Sequence, residues 1–240
     1  DNRQLIAKRL VGLVSGSSAA RSSDCAERVL KACSSFVSDS ATNQVAIAKI
    51  GGIPPLITWL NSTMAITQAA AAHAVLCLAC DNTNTQAFLA KSDAIPALLA
   101  LVTKSSAEAQ EYATRALWYV ASQEEIRQQI ASSGGIKPFV SMLAADGEVA
   151  PELAAIMLVR LARSNPDVSI QIAEQGGILP LVKLVEIGTP GSQQLAASCL
   201  AELALVPKTR DLIANAGGIE TLIKRLVSPT PGTPEAAARV

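Results

Sequence analysis

The sequence has few of the residues on which most enzymes and nucleic-acid-binding proteins depend. Aromatic residues make up 3% of its 240 residues, and His73 is the only histidine. This excludes a metal site built on several histidines, and a histidine-dependent triad unless His73 supplies it. Lysine plus arginine (20) balance aspartate plus glutamate (20), so no net charge attracts nucleic acid or an anionic membrane. We therefore expect no catalytic residues, no cofactor, no bound metal and no nucleic-acid partner.

A disulfide framework and a long apolar run are also missing. The cysteines are five in number and scattered, which is typical of a reducing compartment: Cys25, Cys33, Cys77, Cys80 and Cys199. Cys77 and Cys80 have the spacing of zinc ligands, but no second pair accompanies them, so we interpret both as core residues of a helix. No apolar run approaches the roughly 20 residues that span a bilayer. The sequence predicts a cytoplasmic chain without a membrane-spanning helix.

Hydrophobic residues, mostly Ala, Leu, Ile and Val, make up 50% of the chain and favour a core of helix packed on helix. A short motif recurs five times, with its isoleucine at positions 53, 95, 136, 178 and 219. The copies are Gly51-Gly-Ile-Pro-Pro-Leu56, Asp93-Ala-Ile-Pro-Ala-Leu98, Gly134-Gly-Ile-Lys-Pro-Phe139, Gly176-Gly-Ile-Leu-Pro-Leu181 and Gly217-Gly-Ile-Glu-Thr-Leu222. The spacing of about 41 residues predicts a stack of helical repeats rather than several unrelated domains.

Each repeat reads as three helices. A short first helix, such as Asn84–Lys91 or Val168–Glu174, runs into the Gly-Gly or Asp-Ala pair, and a proline follows in the first turn of the second helix. A longer third helix, such as Ala107–Ser122, carries apolar residues at steps of three and four. Both ends lack part of the repeat: residues 4–15 and 24–38 match second and third helices, and Pro234–Val240 matches the start of a third.

These motifs resemble the armadillo-repeat family along essentially the whole chain. The resemblance implies an all-α, right-handed superhelical solenoid of about five to six repeats, in which the third helices line a concave groove that binds extended or helical protein segments. We divide residues 1–240, taken as one armadillo-repeat domain, into a partial repeat 1–40, repeats 41–82, 83–123, 124–165 and 166–207, and a partial repeat 208–240.

The third helices indicate which residues would face such a groove. In Ala107–Ser122, steps of three and four residues place Glu108, Tyr112, Arg115 and Tyr119 on one face. Trp118 is included because it and Tyr119 cannot both face the core of one helix. Alignment of the repeats adds residues at two equivalent positions, so that the predicted binding residues are Lys31, Ser35, His73, Cys77, Glu108, Tyr112, Arg115, Trp118, Tyr119, Arg160, Ser198 and Glu202.

The resemblance leaves three kinds of function open. In nuclear-import adaptors the two equivalent positions are typically tryptophan and asparagine, and this chain has neither at any of them, which disfavours that function. The residues present form a mildly basic stripe suited to acidic or mixed partners. A second alternative is the substrate-binding half of a ubiquitin ligase whose catalytic part lies outside this sequence. The favoured interpretation is a non-catalytic scaffold or adaptor for a protein partner.

The short, alanine-rich repeats are most similar to organelle and cytoskeletal adaptors of the family, such as the armadillo-repeats-only proteins of apicomplexan parasites and the vacuolar armadillo proteins of yeast. This similarity implies a monomer on the cytosolic face of an organelle membrane that tethers an organelle or vesicle to motor or cytoskeletal proteins. Because the sequence starts at Asp1 rather than Met, we expect membrane contact only through a lipid anchor upstream of it.

Overall fold

The computed structural model describes residues 2–16 and 23–227, and these residues form helices and no strand. The helices are α1 (Asn2–Ser15), α2 (Ser23–Val37), α3 (Ala41–Lys49), α4 (Ile53–Leu60), α5 (Ala65–Ala79), α6 (Thr83–Ala90), α7 (Ala94–Lys104), α8 (Ala107–Val120), α9 (Glu124–Ile130), α10 (Ile136–Leu143), α11 (Val149–Ala162), α12 (Pro166–Glu174), α13 (Ile178–Ile187), α14 (Pro190–Ala204), α15 (Pro207–Asn215) and α16 (Gly218–Val227). From α3 to α14, each group of three consecutive helices has two shorter helices followed by a longer one, as the predicted repeat requires. We call the second helix of each group the medium helix and the third the long helix.

Polar side chains mark the starts of many helices. A hydroxyl or amide oxygen just before the helix accepts a hydrogen bond from a backbone N–H of the first turn, which otherwise has no helical partner. Such caps are formed by Ser40, Asn82, Ser106, Asn165 and Thr189. Among the helices with predicted bounds, the capped helices α6, α8 and α12 begin within two residues of the predicted Asn84, Ala107 and Val168.

The Gly-Gly corner between the first and second helices uses its two glycines differently. Gly176 has φ +83°, a left-handed conformation that residues with a Cβ rarely adopt. Gly177 has ordinary angles, but a Cβ there would lie 2.7 Å from the Ile172 side chain and 2.9 Å from the Ile172 carbonyl oxygen. The Asp93-Ala94 corner has a different backbone conformation, because Asp93 has φ −75° where the equivalent glycine has a positive φ. Glycine is therefore not required there.

By its contacts the chain divides into two units, residues 1–126 and residues 127–240. In the first unit the long helices α2, α5 and α8 pack side by side in that order, and the medium helices α4 and α7 pack against α5 and α8. Leucines from these helices are fully buried in its core, namely Leu30, Leu56, Leu78, Leu98 and Leu117. Each contributes about 1.5–3 kcal/mol by leaving water.

Two buried amide side chains connect neighbouring repeats in the first unit. The Asn82 side chain caps α6 and donates through Nδ2 to Gln44 Oε1 at 2.8 Å and to the Ala41 carbonyl oxygen at 3.2 Å. Gln44 in turn donates through Nε2 to the carbonyl oxygens of Cys77, at 2.7 Å, and Cys80, at 3.2 Å. Helix α3 is thereby tied to the end of α5 and the start of α6.

The second unit repeats this packing with the end of α9 and helices α10 to α16. The long helices α11 and α14 lie side by side, and the medium helices α10 and α13 pack against them. Phe139, Leu158, Leu181 and Leu200 are fully buried between these helices. Arg225 of α16 donates from Nε to the Val185 carbonyl oxygen at 2.9 Å, which satisfies an acceptor at the end of α13.

Several ion pairs among the described residues lie within single helices. Four pairs join residues four apart on one exposed helix face: Asp24–Arg28, Glu27–Lys31, Glu111–Arg115 and Glu220–Lys224. A fifth, between Lys208 Nζ and Glu174 Oε1 at 2.8 Å, joins α15 to α12. Exposed pairs of this kind contribute only tenths of a kcal/mol, so apolar packing holds the repeats together.

The predicted helices are found where the structure describes them. Residues 4–15 and 24–38 correspond to α1 and α2, and Ala107–Ser122 corresponds to α8, which ends two residues earlier. The helix predicted at Pro234–Val240 lies outside the described residues, and the division into one domain of six repeats stays a prediction. Within the described residues no single helix is long and apolar enough to cross a membrane, although two sharply bent helix pairs pass that test together.

Candidate functional site

In the first unit, the predicted binding residues of α2, α5 and α8 remain at least partly exposed on neighbouring helices. We call Lys31, Ser35, His73, Cys77, Glu108, Tyr112, Arg115, Trp118 and Tyr119 the long-helix face. Lys31, Ser35, Glu108 and Arg115 are exposed, while His73, Cys77, Tyr112, Trp118 and Tyr119 are half-buried. Because α5 packs on both α2 and α8, these residues form a row across three repeats.

Two aromatic contacts organise this face. The rings of His73 and Tyr112 lie 4.8 Å apart between centroids, with their planes tilted by 45°. Trp118 and Tyr119 make an edge-to-face contact at 5.1 Å. Neither Trp118 nor Tyr119 is fully buried, in keeping with the prediction that both cannot face the core. Ring pairs at these distances stabilise each other by about 0.5–1.5 kcal/mol and are held in fixed orientations.

Carboxylates beside the predicted cations change the expected charge of the face. Glu27 Oε1 lies 2.6 Å from Lys31 Nζ, and Glu111 Oε1 lies 3.0 Å from Arg115 Nε. The Glu27 hydrogen bond raises the pKa of Lys31. With Glu108, three carboxylates surround two cations, so the expected basic stripe is not basic in this unit. The predicted binding residues did not include Glu27 and Glu111, which lie one turn before Lys31 and Arg115.

Burial and neighbouring groups set the protonation of the half-buried residues. Burial lowers the pKa of His73 against an opposing effect of the Glu108 carboxylate, so the imidazole is neutral at pH 7. A hydrogen bond with the Cys80 thiol, together with burial, raises the pKa of Tyr119 to about 12. Burial also raises the pKa of Tyr112. These side chains therefore present uncharged rings between the charged groups.

The interpretation of Cys77 and Cys80 as core residues is wrong. Both are only half-buried, because Cys77 belongs to the exposed side of α5 and Cys80 follows its last turn. Cys77 accepts a hydrogen bond from Ser38 Oγ at 3.5 Å, and its Sγ lies 3.7 Å from His73 Nε2. Burial raises the pKa of Cys77, which keeps it a thiol. Within the described residues, no three His, Cys, Asp or Glu side chains are placed to hold a metal ion.

In the second unit the predicted residues lie on α11 and α14. Arg160, Ser198 and Glu202 are all half-buried, and their helices pack side by side. Burial, followed by the charges of Arg127 and Arg163, lowers the pKa of Arg160. Arg127 and Arg163 therefore lie near enough for their charges to act on Arg160, and we call these three residues the arginine cluster. The alignment predicted Arg160 alone, and Arg127 was missed because it belongs to a first helix.

Comparisons with known proteins agree with this architecture. A model of the armadillo/beta-catenin-like repeat matches residues 82–122, which contain α6, α7 and α8. A search of curated proteins gives no match. The repeat match and the packing of α2, α5 and α8 define an all-helical repeat solenoid.

Solved structures give the same fold over nearly the whole chain. An engineered protein is 26% identical, with a TM-score of 0.88 over 100% of this chain and 94% of its own. A computationally designed armadillo repeat protein for modular peptide recognition is 20% identical, with a TM-score of 0.88 over 96% of both chains. A designed armadillo repeat protein in complex with the peptide (KR)4 is 20% identical, with a TM-score of 0.86 over 96% of both chains. Residues 82–122 therefore match an armadillo repeat, and the described residues have the fold of an armadillo-repeat solenoid.

Proposed function

We propose that this protein is a non-catalytic scaffold that binds an extended or helical protein segment on its long-helix face. The observation that carries the proposal is the distribution of aromatic side chains. The sequence holds two tryptophans and two tyrosines, and three of these four residues, Tyr112, Trp118 and Tyr119, lie half-exposed on α8. Rigid aromatic residues beside arginine are the usual composition of a binding hot spot.

The charges of the face specify the kind of segment. Lys31 and Arg115 alternate with Glu27, Glu108 and Glu111, so a partner with side chains of both signs matches it better than a uniformly charged one. The uncharged rings of His73 and Tyr112 offer stacking surface between these charges. In the second unit, the cluster of Arg127, Arg160 and Arg163 suits an acidic side chain. The fold likeness to designed proteins made for peptide recognition supports peptide binding in general.

Selection from a library of displayed peptides tests the proposal. Many of the peptides selected on the wild-type chain are expected to lose at least about 30-fold in affinity for a Tyr112→Ala, Tyr119→Ala variant, since a single hot-spot residue contributes about 2 kcal/mol or more. Phe88→Ala is the matched control, because Phe88 is 42% exposed on α6 and is not part of the face. If both variants bind the peptides as the wild type does, the long-helix face is not the binding site.

Two charged probes separate this proposal from the import-adaptor alternative. The peptide (KR)4 and an acidic counterpart, (DE)4, are titrated against the same wild-type protein. A scaffold for mixed segments is expected to bind both more weakly than the selected peptides. Tight binding of (KR)4, lost on Glu108→Lys with Glu111→Lys, would instead favour a carrier of basic segments.

The roles in organelle tethering and in substrate binding for a ubiquitin ligase rest on the family resemblance and stay predictions. Affinity capture from the source cell separates them. Wild-type protein is compared with a Tyr112→Ala, Arg115→Glu, Arg160→Glu variant. Motor or cytoskeletal proteins that disappear with the variant would support tethering, and ligase components would support the alternative.

A further inference from the structure

We propose that the second unit carries a second docking site, separate from the long-helix face, for a protein segment with large apolar side chains next to a lysine or arginine. The site is a cavity of about 590 Å³ between the end of α10, the start of α11 and the outer side of α13. Its base is formed by the buried residues Leu143, Pro151 and Leu184. The volume lies within the range of about 300–1,000 Å³ that is usual for binding pockets.

Helix α13 contributes an apolar wall that extends beyond the cavity. Leu179, Lys183 and Ile187 line the cavity and are spaced four residues apart, so they form one stripe on the helix. Leu179 and Ile187 are each 68% exposed. A small molecule confined to the cavity would leave most of this apolar surface in water, whereas a protein segment lying along α13 would cover both side chains.

The other repeats show that the fold does not need large apolar residues at these two positions. When the repeats are aligned on their motif isoleucines, Leu179 corresponds to Pro54, Pro96, Lys137 and Glu220, and Ile187 corresponds to Ser62, Lys104 and Ala145. None of these counterparts is a large aliphatic residue. The repeat that contains α13 thus differs from the other repeats at two exposed positions. Core packing does not determine the residue at an exposed position, so large apolar residues there indicate binding.

The charges around the cavity specify the occupant. Asp146 and Glu148 line it opposite α13, and the Glu152 carboxylate lies nearby, 3.7 Å from where a Cβ on Gly191 would be. Lys183 is the cation among the lining residues. Carboxylates thus outnumber the cation, and the structure shows no ion pair for any of these four groups within its described residues. A lysine or arginine of the occupant would complement Asp146 and Glu148.

Peptide selection with sorting by variant tests this site independently of the long-helix face. Random displayed 12-residue peptides are selected on the wild-type chain, and each is measured against a Leu179→Lys, Ile187→Lys variant and against Tyr112→Ala, Tyr119→Ala. We expect a group of peptides that lose at least tenfold in affinity for the first variant and bind the second unchanged. These peptides should combine two or more large apolar residues with lysine or arginine.

A matched control and a charge reversal sharpen the result. Leu205→Lys is the control, because Leu205 is also 68% exposed but does not line the cavity. Leu205→Lys should leave the affinity of this group of peptides unchanged. Asp146→Lys with Glu148→Lys should lower their affinity at least severalfold. The proposal is overturned if no peptide loses affinity for Leu179→Lys, Ile187→Lys while binding Tyr112→Ala, Tyr119→Ala unchanged. It is equally overturned if the peptides of this group are acidic, or if the charge reversal does not change their affinity. It is also overturned if the wild type self-associates in sedimentation and Leu179→Lys, Ile187→Lys abolishes this, since a second copy would then be the occupant.

Discussion

Replacing Asn82 should show how much one buried amide pair contributes to holding neighbouring repeats together. The Asn82 side chain caps α6 and also donates to Gln44 Oε1 at 2.8 Å. In Asn82→Ala, loss of the cap costs about 1 kcal/mol. The buried Gln44 oxygen loses its donor as well, which costs about 1–3 kcal/mol more. We therefore expect the free energy of unfolding to fall by about 2–4 kcal/mol.

The chain provides a matched comparison at the equivalent position two repeats later. Asn165 is buried to the same degree as Asn82, at 7% against 6% exposure, and caps α12 through the Val168 N–H at 3.1 Å. The residue aligned with Gln44 in that repeat is Arg127, so the same amide pair cannot form. Asn165→Ala should therefore cost only the cap, about 1 kcal/mol. Asn82→Asp, which keeps the acceptor but loses the donor, should fall between the two alanine variants.

Urea unfolding followed by far-ultraviolet circular dichroism measures these differences. In a repeat protein, stability is close to a sum of terms for each repeat and each interface, so loss of an interface bond can also separate one transition into two. A double variant, Asn82→Ala with Gln44→Ala, gives the coupling energy directly. If Asn82→Ala costs no more than Asn165→Ala, the amide pair does not stabilise the interface and the reasoning is wrong.

Three further predictions concern the corners, the core and the thiols. Gly176→Ala should cost about 1–2 kcal/mol because its φ is +83°, and Gly177→Ala should cost more because its Cβ would lie 2.7 Å from a side chain of α12. Trp59→Phe should cost about 1–3 kcal/mol, since its Nε1 donates to a buried carbonyl oxygen of α1 at 2.8 Å. Exposed Cys25 should react with iodoacetamide at pH 8 well before Cys33, because burial raises the pKa of Cys33 to about 11.

Thermal unfolding tests the first two predictions, and mass spectrometry of alkylated peptides tests the third. A cost for Gly177→Ala no greater than that for Gly176→Ala would contradict the steric argument at the corner. An unchanged melting temperature for Trp59→Phe would show that water replaces the indole donor. For Cys33, the reactive thiolate is only about a thousandth of the total at pH 8 and increases as the pH rises toward 11. A rate for Cys33 that does not increase with pH would contradict the assignment.

The sequence was sufficient for the helices and the repeat because both depend on local signals. Glycine pairs, first-turn prolines and polar caps act within a few residues, and the five motif isoleucines fix the phase of the repeat. The Asp93-Ala94 pair was correctly aligned with the Gly-Gly pairs, but its different backbone could not be read from the sequence. The turn there avoids a left-handed residue, which depends on how α6 meets α7.

The candidate site was predicted less completely than the fold. Spacing along one helix placed Tyr112 and Tyr119 on an exposed face, but spacing cannot show which side chains of different repeats meet. The tilted ring contact between His73 and Tyr112 and the hydrogen bond from Asn82 to Gln44 are contacts of this kind. The charge of the face was misjudged because Glu27 and Glu111 reach the cations from the next turn of the same helix.

The ion pairs have a consequence for how binding can be studied. Four of the pairs described above join residues within one helix, so these four hardly contribute to the packing of repeats. Raising the salt concentration from 0.15 to 1 M shortens the screening length from about 8 to about 3 Å, which weakens exposed charge interactions but leaves apolar packing intact. Ionic strength can therefore be used as a control that loosens charged partners from this protein without unfolding it.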